Sequence, residues 1–421
     1  MQYIITAPTV LNCNVKLPAS KSISNRALIM SALAGGQKLP DNLSDCDDTE
    51  VIVRALKDTP EIIDIKAAGT AMRFMTAFLA ATEGEHIITG TERMKHRPIA
   101  VLVDALRFIG AKITYEGEEG FPPLRISGRQ LRGGDLHIKG NVSSQYISAL
   151  LMIGPMLKGG LKLHLEGDII SRPYIDLTLW MMKEYGAEAD WSDINVITVK
   201  PKPYTERSYY IENDWSAASY WYEMMALNAN TEDSIILEGL LDGSKQGDSI
   251  ARYLFSLLGV KTTILNPENG KPGSVRLKYS GRSVPRLEYD FLNCPDLAQT
   301  FVATCVGKNI PFHFTGLQTL KIKETDRIEA LKTEMRKLGY LLEDRDDSEL
   351  FWDGARCEPA NSDELAIAID TYEDHRMALA FAPLAHVRNY IRINNPQVVT
   401  KSYPHFWTDL SSAGFEVVEE R

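Results

Sequence analysis

Paired cysteines are missing from this 421-residue sequence. Its five cysteines are odd in number and include no C-x-x-C pair, so their spacing indicates neither a disulfide framework nor a zinc knuckle. We therefore expect reduced thiols that pack inside a cytoplasmic protein, with no metal and no cofactor.

Long apolar runs are also scarce. The longest, around residues 147–157, is too short to span a bilayer, and the first residues do not combine a basic region with an apolar run. Neither export nor membrane attachment is expected. The formal net charge of −10 argues against a nucleic-acid partner, because such proteins normally carry a basic face. A local basic site remains compatible with that total.

Two common nucleotide-binding patterns are absent as well. The sequence contains neither the P-loop pattern G-x-x-x-x-G-K-[ST] nor the dinucleotide pattern G-x-G-x-x-G. The length predicts two or three domains, and the apolar content of 44% is ordinary for a soluble globular protein.

A repeated α/β phrase runs along the chain. Each copy reads as a helix, strands with turns, and a second helix that closes on glycine before an apolar strand. The intervals between the closing glycines are 76, 73, 80 and 75 residues, the glycines being Gly110, Gly186, Gly259, Gly339 and Gly414. A further copy is expected through Asp47–Asp58, although it ends on Pro60 without the glycine. The sequence thus predicts six copies of one unit.

The first helix of each copy is rich in small and apolar residues. These helices are predicted to begin near Ser20, Gly69, Ser143, Trp215, Asp296 and Asp374. Because they are apolar around most of their circumference, they should be buried, and the second helices should form an amphipathic outer set.

Three cations crowd the start of one predicted helix. Lys321, Lys323 and Arg327 lie at its N-terminus. The N-terminus of a helix favours anions rather than cations, because its N–H groups are unpaired and carry partial positive charge. A bound anion would explain the arrangement. The alternative is a solvated first turn in which Asp326 offsets the cations.

Charged residues recur at other predicted helix starts. They are Lys21, Arg26, Arg73, Arg97, Arg172, His375 and Arg376. If the copies pack with pseudo-symmetry, these helix starts face the same way and converge on one cavity, which would hold more than one polyanion.

Eight phrases resemble, in order, those of the 5-enolpyruvylshikimate-3-phosphate (EPSP) synthase family. They are LPASKSISNRAL (17–28), AAGTAMRF (67–74), MKHRPIAVLVDAL (94–106), NVSSQYISALLM (141–152), SRPYIDLT (171–178), KIKETDRI (321–328), DHRMALAF (374–381) and VTKSYP (399–404). The resemblance implies a two-domain inside-out α/β barrel with three units per domain. The implied domains are 1–15 plus 213–421, and 16–212, with the active site in the cleft between them.

The implied reaction transfers the enolpyruvyl group of phosphoenolpyruvate to the 5-hydroxyl of shikimate 3-phosphate and releases phosphate. These two small molecules are the expected partners of a monomeric enzyme. The residues implied for shikimate 3-phosphate are Lys21, Ser22, Arg26, Ser143, Ser144, Ser171, Tyr174, Lys323 and the position of Thr319. Those implied for phosphoenolpyruvate are Lys21, Gly69, Arg97, Gln145, Arg327, Arg376 and Lys401.

Addition followed by elimination needs one base and one acid beside the reacting carbons. By the resemblance, Asp296 is the base at the 5-hydroxyl and Glu324 exchanges a proton with the methylene carbon, while Lys21 and His375 assist. Structural alternatives compete with these roles. Asp296 follows Pro295 and suits an N-cap, and Glu324 suits an ion pair with a neighbouring cation. Capping roles also suit Ser143 and Ser144, and structural roles suit Arg73 and His375.

The sequence departs from the family pattern at three places. Ala67 and Ala68 replace the more usual Asn-Ala before Gly69. Phe74 stands where proline often follows the Met-Arg pair, and Thr319 occupies a position that often supplies an asparagine. The first changes would reshape the phosphoenolpyruvate pocket and its tolerance of analogues such as glyphosate.

One rival is UDP-N-acetylglucosamine enolpyruvyl transferase, which usually has a Lys-Asn pair and a loop cysteine. Here Lys21 precedes Ser22, and no cysteine lies in a comparable glycine-rich loop. The other rival is a non-catalytic anion-binding protein, which would gain nothing from Asp296 and Glu324.

Overall fold

The computed structural model describes residues 1–36, 38–265, 272–363 and 367–420. The chain forms two compact units. The continuous unit is Ala19–Ile211, and the split unit is Met1–Pro18 together with Glu212–Arg421. No helix in the described ranges is long and apolar enough to cross a membrane.

The chain begins with two strands of the split unit, β1 (Gln2–Thr6) and β2 (Asn12–Lys16). The continuous unit then contains α1 (Lys21–Leu33), α2 (Asp47–Asp58), β3 (Ile62–Asp64), α3 (Gly69–Ala81), β4 (Gly84–Thr89), α4 (Glu92–Lys95), α5 (Ala100–Phe108), β5 (Lys112–Tyr115), β6 (Leu124–Gly128), β7 (Gly134–Lys139), α6 (Ser144–Ile153), β8 (Leu161–Glu166), α7 (Arg172–Glu184), β9 (Ala189–Asp193) and β10 (Val196–Val199). A 3-10 turn follows α6 at Gly154–Met156.

The split unit resumes with alternating helices and strands. They are α8 (Trp215–Asn228), β11 (Ser234–Leu240), α9 (Ala251–Leu257), β12 (Val260–Leu265), β13 (Gly273–Tyr279), β14 (Leu287–Asp290), α10 (Ala298–Gly307), β15 (Phe312–Thr315), α11 (Arg327–Lys337), β16 (Glu343–Arg345), β17 (Glu349–Trp352), β18 (Ala368–Ile369), α12 (His375–Phe381), β19 (Ile391–Asn394), α13 (Phe406–Ser412) and β20 (Glu416–Glu420). Its 3-10 turns are Gly247–Ile250, Phe291–Asn293, Pro295–Leu297, Leu320–Ile322, Ala382–His386 and Pro396–Lys401.

Five four-stranded sheets in the described residues share one strand order. Each starts with a parallel pair and continues with two antiparallel pairings. In the continuous unit the orders are β3-β4-β6-β5 and β7-β8-β10-β9. In the split unit they are β2-β11-β13-β12, β14-β15-β17-β16 and β18-β19-β1-β20. The predicted α/β class and repeated unit are therefore confirmed for five copies.

The sixth predicted copy lacks such a sheet in the part of the chain that the structure describes. Its helices α1 and α2 are present, but isolated bridge residues, such as the parallel pair Asp41 and Tyr210, stand where the other copies have strands. The intervening sequence is short and rich in turn-forming residues, including Gly35, Pro40 and Asn42, which suits irregular backbone. The repeat signal in the sequence came from helices, so it did not reveal the missing sheet.

The first helix of each copy is buried, as its composition predicts. These inner helices are α1, α3, α6, α8, α10 and α12. In α8 even the large Trp215 and Trp221 are 1% and 0% exposed. The outer helix α11, by contrast, buries Ile328, Leu331 and Met335 on one face. Each unit is therefore built around its own helical core, with the sheets outside.

The closing glycines share a backbone conformation in the structure. They have φ angles of 107° at Gly110, 83° at Gly186, 93° at Gly259, 92° at Gly339 and 96° at Gly414. That left-handed conformation ends a helix at little cost only for glycine. The copy predicted to lack the glycine ends α2 on Thr59, with φ 37°.

Candidate active site

Arg97 lies against the start of inner helix α3 in the continuous unit. A Cβ added at Gly69 would lie 2.5 Å from Arg97 Nη1 and 2.9 Å from its Cζ, so glycine permits this approach. The N-cap residue, Ala68, makes no side-chain hydrogen bond to the helix. Arg97 Nε is buried and has no hydrogen-bond partner among the described residues. The guanidinium and the helix start together favour an anion.

Inner helix α6 begins beside α3. Gln145 Nε2 donates a hydrogen bond to Thr70 Oγ1 at 3.1 Å. Ser143 caps α6, because its Oγ accepts a hydrogen bond from Gln145 N at 3.3 Å. Ser143 therefore acts as an N-cap, which was the structural alternative to a substrate-binding role. Its hydroxyl hydrogen can still be donated elsewhere, and Ser144 lies half-buried at the first position of the helix.

Lys21 stands at the start of inner helix α1 with a protein counterion. Its Nζ lies 3.2 Å from Asp48 Oδ2, and the two side chains are 15% and 5% exposed. Ser20 caps the helix by accepting from Ile23 N, and Ser22 is half-buried. An incoming anion would share Lys21 with Asp48.

Arg26 is 3% exposed and largely engaged by the protein. Its guanidinium donates to Thr178 Oγ1 at 2.7 Å, Ser22 O at 2.9 Å and Ser148 Oγ at 3.1 Å. Burial lowers the pKa of Arg26 to about 10. Its Cζ lies 5.2 Å from the centroid of the Phe74 ring, which is fully buried. The residue at this departure from the family pattern therefore packs against Arg26.

The start of outer helix α7 contains Ser171 and Tyr174. Ser171 is buried in a left-handed conformation, with φ 54°. The Arg172 guanidinium lies 3.9 Å from the centroid of Trp191, whose Nε1 donates to Asp176 at 2.8 Å. Arg172 is therefore held on an indole face.

Arg73 makes hydrogen bonds that suit a structural role, which the sequence analysis gave as an alternative for this residue. Its Nη1 donates to Gly69 O at 3.0 Å, and its Nη2 donates to Pro98 O at 3.1 Å. These contacts connect α3 to the segment that carries Arg97.

Arg327 is the centre of an ionic cluster in the split unit. It begins α11, and its side chain is 2% exposed. It donates to Asp374 Oδ2 at 2.6 Å, to Glu324 Oε2 at 2.9 Å and to Asp296 Oδ1 at 3.1 Å. Burial alone would lower the pKa of Arg327, but these carboxylates, Asp374 foremost, raise it above its ordinary value. Protein carboxylates thus surround the cation at this helix start.

Lys321 does not join this cluster. It lies in the 3-10 turn before α11, is exposed, and pairs with Asp347. The solvated alternative therefore holds for one of the three cations. Asp326 caps α11 by accepting a hydrogen bond from Glu329 N at 3.2 Å.

Asp296 binds a second arginine and approaches a lysine. Arg376 Nη2 donates to its Oδ2 at 2.9 Å, and Lys323 Nζ lies 3.6 Å from its Oδ1. Burial would raise the pKa of Asp296, but Arg376, Lys323 and Arg327 together lower it well below its ordinary value. The side chain remains 20% exposed. Asp296 is therefore an ionised carboxylate that solvent can reach.

Glu324 and Lys401 form the opposite edge of the same cluster. Lys401 Nζ lies 3.1 Å from Glu324 Oε1, while Glu324 Oε2 accepts from Arg327. The ion-pair alternative for Glu324 is thus present. His375 is 1% exposed, with Nδ1 3.6 Å from Asp374 Oδ1.

Several residues of this cluster had no site role in the sequence analysis. Asp374 caps α12 and binds Arg327, and its place at a predicted helix start was the available signal. Tyr220 OH accepts from Arg376 Nη1 at 3.1 Å, and burial raises the pKa of Tyr220 to about 12. Asp248 is buried and accepts from Ser216 Oγ; burial, and then Asp296, raise its pKa to about 6. No sequence pattern pointed to Tyr220 or Asp248.

Two further features bear on ligands. Thr319 Oγ1 is buried and has no hydrogen-bond partner in the described ranges. In those same ranges, no group of three or more His, Cys, Asp or Glu side chains is arranged to hold a metal ion.

The family model described as EPSP synthase (3-phosphoshikimate 1-carboxyvinyltransferase) matches residues 5–60 and 55–410. The chain belongs to the EPSP synthase family. A 3-phosphoshikimate 1-carboxyvinyltransferase of Bacteroides fragilis is 58% identical over 417 residues, which cover 99% of both chains. One from a Sulfurovum species is 34% identical and covers 94% of this chain and 96% of that protein.

Solved EPSP synthases share the fold. An EPSP synthase from Acinetobacter baumannii is 19% identical, covers 100% of both chains and has a TM-score of 0.78. Membership in the EPSP synthase family confirms the resemblance drawn from the sequence phrases. The roles of the individual site residues stay predictions.

Proposed function

We propose that this chain transfers the enolpyruvyl group of phosphoenolpyruvate to the 5-hydroxyl of shikimate 3-phosphate, giving 5-enolpyruvylshikimate 3-phosphate and phosphate. The observation that carries the proposal is that Asp296 and Glu324 both bind Arg327. Two carboxylates beside a common cation can supply the base and the proton donor that the reaction needs. Family membership and the names of the relatives support the choice of substrates.

The cations of both units suit substrates that each carry a phosphate and a carboxylate. Bringing these negative charges together requires compensating positive charge. For phosphoenolpyruvate we assign Lys21, Gly69, Arg97, Gln145, Arg327, Arg376 and Lys401. For shikimate 3-phosphate we assign Lys21, Ser22, Arg26, Ser143, Ser144, Ser171, Tyr174, Thr319 and Lys323. Arginine suits many of these positions because its planar fork binds oxyanions through two hydrogen bonds.

Asp296 is assigned as the base that takes the proton of the 5-hydroxyl. In the structure its pKa is held low chiefly by Arg376, Lys323 and Arg327, which oppose burial. Substrate oxyanions that bind these same cations would weaken their hold on Asp296 and raise its pKa. The carboxylate would thus become a stronger base when the substrates are bound.

Glu324 is assigned to the methylene carbon of phosphoenolpyruvate. It would donate a proton there as the 5-hydroxyl adds to C2, and accept a proton back from the same carbon as phosphate leaves. Lys401 and Arg327 contact its two oxygens and would balance its charge while it is ionised.

Phosphate release by the purified protein tests the proposal. We expect release only when both substrates are present, and expect it to persist in a chelating buffer without added metal. Release with UDP-N-acetylglucosamine in place of shikimate 3-phosphate would favour the related transferase. Binding of both substrates without release would favour an anion-binding protein.

A further inference from the structure

A tight turn leads into the helix that carries Arg376. Tyr372 and Glu373 have φ angles of 52° and 57°, and Asp374 N donates to Thr371 O at 2.8 Å. This is the pattern of a type I′ turn, whose two central positions favour asparagine and glycine. Tyrosine and glutamate are disfavoured there, because their Cβ atoms crowd the backbone. Contacts outside the turn must therefore hold it.

Glu334 on outer helix α11 provides such contacts. It is 0% exposed, and its Oε1 accepts a hydrogen bond from Tyr372 OH at 2.5 Å. Its Oε2 accepts from Asp370 N at 3.1 Å. Lys337 Nζ lies 2.8 Å from Glu334 Oε2 and 2.7 Å from Asp370 Oδ2, which balances the buried charge. One carboxylate thus binds two points of the segment that forms the turn.

The same helix binds this segment a third time. Arg327 and Glu334 are seven residues apart, so they lie on one face of α11. Arg327 binds Asp374, which caps α12 by accepting from Arg376 N at 2.9 Å. The Arg376 guanidinium then donates to Asp296 and Tyr220. The path from Glu334 to Arg376 therefore runs through a strained turn and a helix cap.

We propose that Glu334 and Tyr372 are positioning residues that orient Arg376 for phosphoenolpyruvate. Both act through the turn and the start of α12 rather than by touching substrate. The inference rests on the proposed function, because it takes Arg376 as a ligand of phosphoenolpyruvate.

Tyr372→Phe is the sharpest variant, because it removes one hydroxyl from a partly exposed ring. We expect the KM for phosphoenolpyruvate to rise about fivefold. The variant loses one charged hydrogen bond, and only part of that lost interaction energy should affect the position of Arg376. The kcat and the KM for shikimate 3-phosphate should stay within about twofold. Tyr253→Phe is the matched control, since Tyr253 OH accepts from Arg252 Nη2 at 2.7 Å outside the cluster.

A double-mutant cycle with Arg376→Lys identifies the residue through which the effect travels. If Tyr372 acts through Arg376, the two changes in KM should be less than additive. Glu334→Gln keeps an acceptor oxygen and should be milder than Glu334→Leu. A lower Tm for Tyr372→Phe with an unchanged KM for phosphoenolpyruvate would overturn the proposal, as would full additivity.

Failure of the proposed function can be told apart from failure of this inference. If the wild-type protein binds phosphoenolpyruvate without turnover, the function is wrong. The inference is then judged by calorimetric titration of phosphoenolpyruvate into the wild type and Tyr372→Phe. A weaker affinity in the variant supports it, and equal affinities overturn it.

Discussion

Glu212 is a buried carboxylic acid that should make the stability of the split unit depend on pH. It is 7% exposed, and Ser244 Oγ donates to its Oε1 at 2.8 Å. Its Oε2 is buried without a hydrogen-bond partner in the described residues. Burial raises the pKa of Glu212 from 4.5 to about 7, although the hydrogen bond from Ser244 opposes this shift.

The size of the effect follows from that shift. The native state holds the proton more tightly than the unfolded chain, so this contribution is fully present below pH 4.5 and is lost as the pH rises through about 7. Each pKa unit corresponds to about 1.4 kcal/mol. The free energy of unfolding should therefore lose about 3 kcal/mol from this group by pH 8.

Glu212→Gln isolates the contribution, because glutamine keeps the shape and cannot ionise. Urea unfolding measures the free energy of unfolding of the variant and the wild type at each pH. After any difference that is the same at every pH is subtracted, we expect the two free energies to be similar near pH 4.5 and that of the variant to be greater at pH 8. Glu416→Gln, at an exposed position, is the matched control and should show no such trend. A difference between Glu212→Gln and wild type that does not change with pH would refute the reasoning.

Three further predictions concern the site. Asp296→Ala should abolish phosphate release while shikimate 3-phosphate still binds; an unchanged rate would remove Asp296 from the mechanism. Lys323→Ala should weaken binding of shikimate 3-phosphate about tenfold, as expected for one charged hydrogen bond, and calorimetry that shows equal affinity would contradict its assignment. Gly69→Ala should displace Arg97, because the new Cβ would lie 2.5 Å from its Nη1. The KM for phosphoenolpyruvate should rise about tenfold if most of one charged contact is lost, and an unchanged KM would show that Arg97 does not bind it.

The sequence predicted the repeated helices well because their signals are local. Small apolar residues favour burial of a helix on all sides, and glycine marks the left-handed residue after a helix. Five closing glycines have that conformation in the structure. Strand pairing is set by contacts between distant residues, so the helix pattern did not show that the described residues beside α1 and α2 form no four-stranded sheet.

The site was predictable in its cations and less so in their partners. The position of Arg327 at a helix start followed from spacing, but its binding to Asp374 and Asp296 joins residues 47 and 31 positions away. Arg172 was placed at a helix start correctly, yet its contact with Trp191 depends on how β9 packs beside α7. Such contacts arise from tertiary packing, which spacing along the chain does not encode.

The pairing of β1 has a consequence for synthesis on the ribosome. This strand pairs antiparallel with β20, with Gln2 opposite Glu420, and pairs with β19 on its other side. The continuous unit, by contrast, contains all the strands of its own two sheets. Domains generally fold as units while the chain emerges. The continuous unit can thus fold early in translation, whereas β1 lacks both of its partner strands until β19 and β20 have left the exit tunnel.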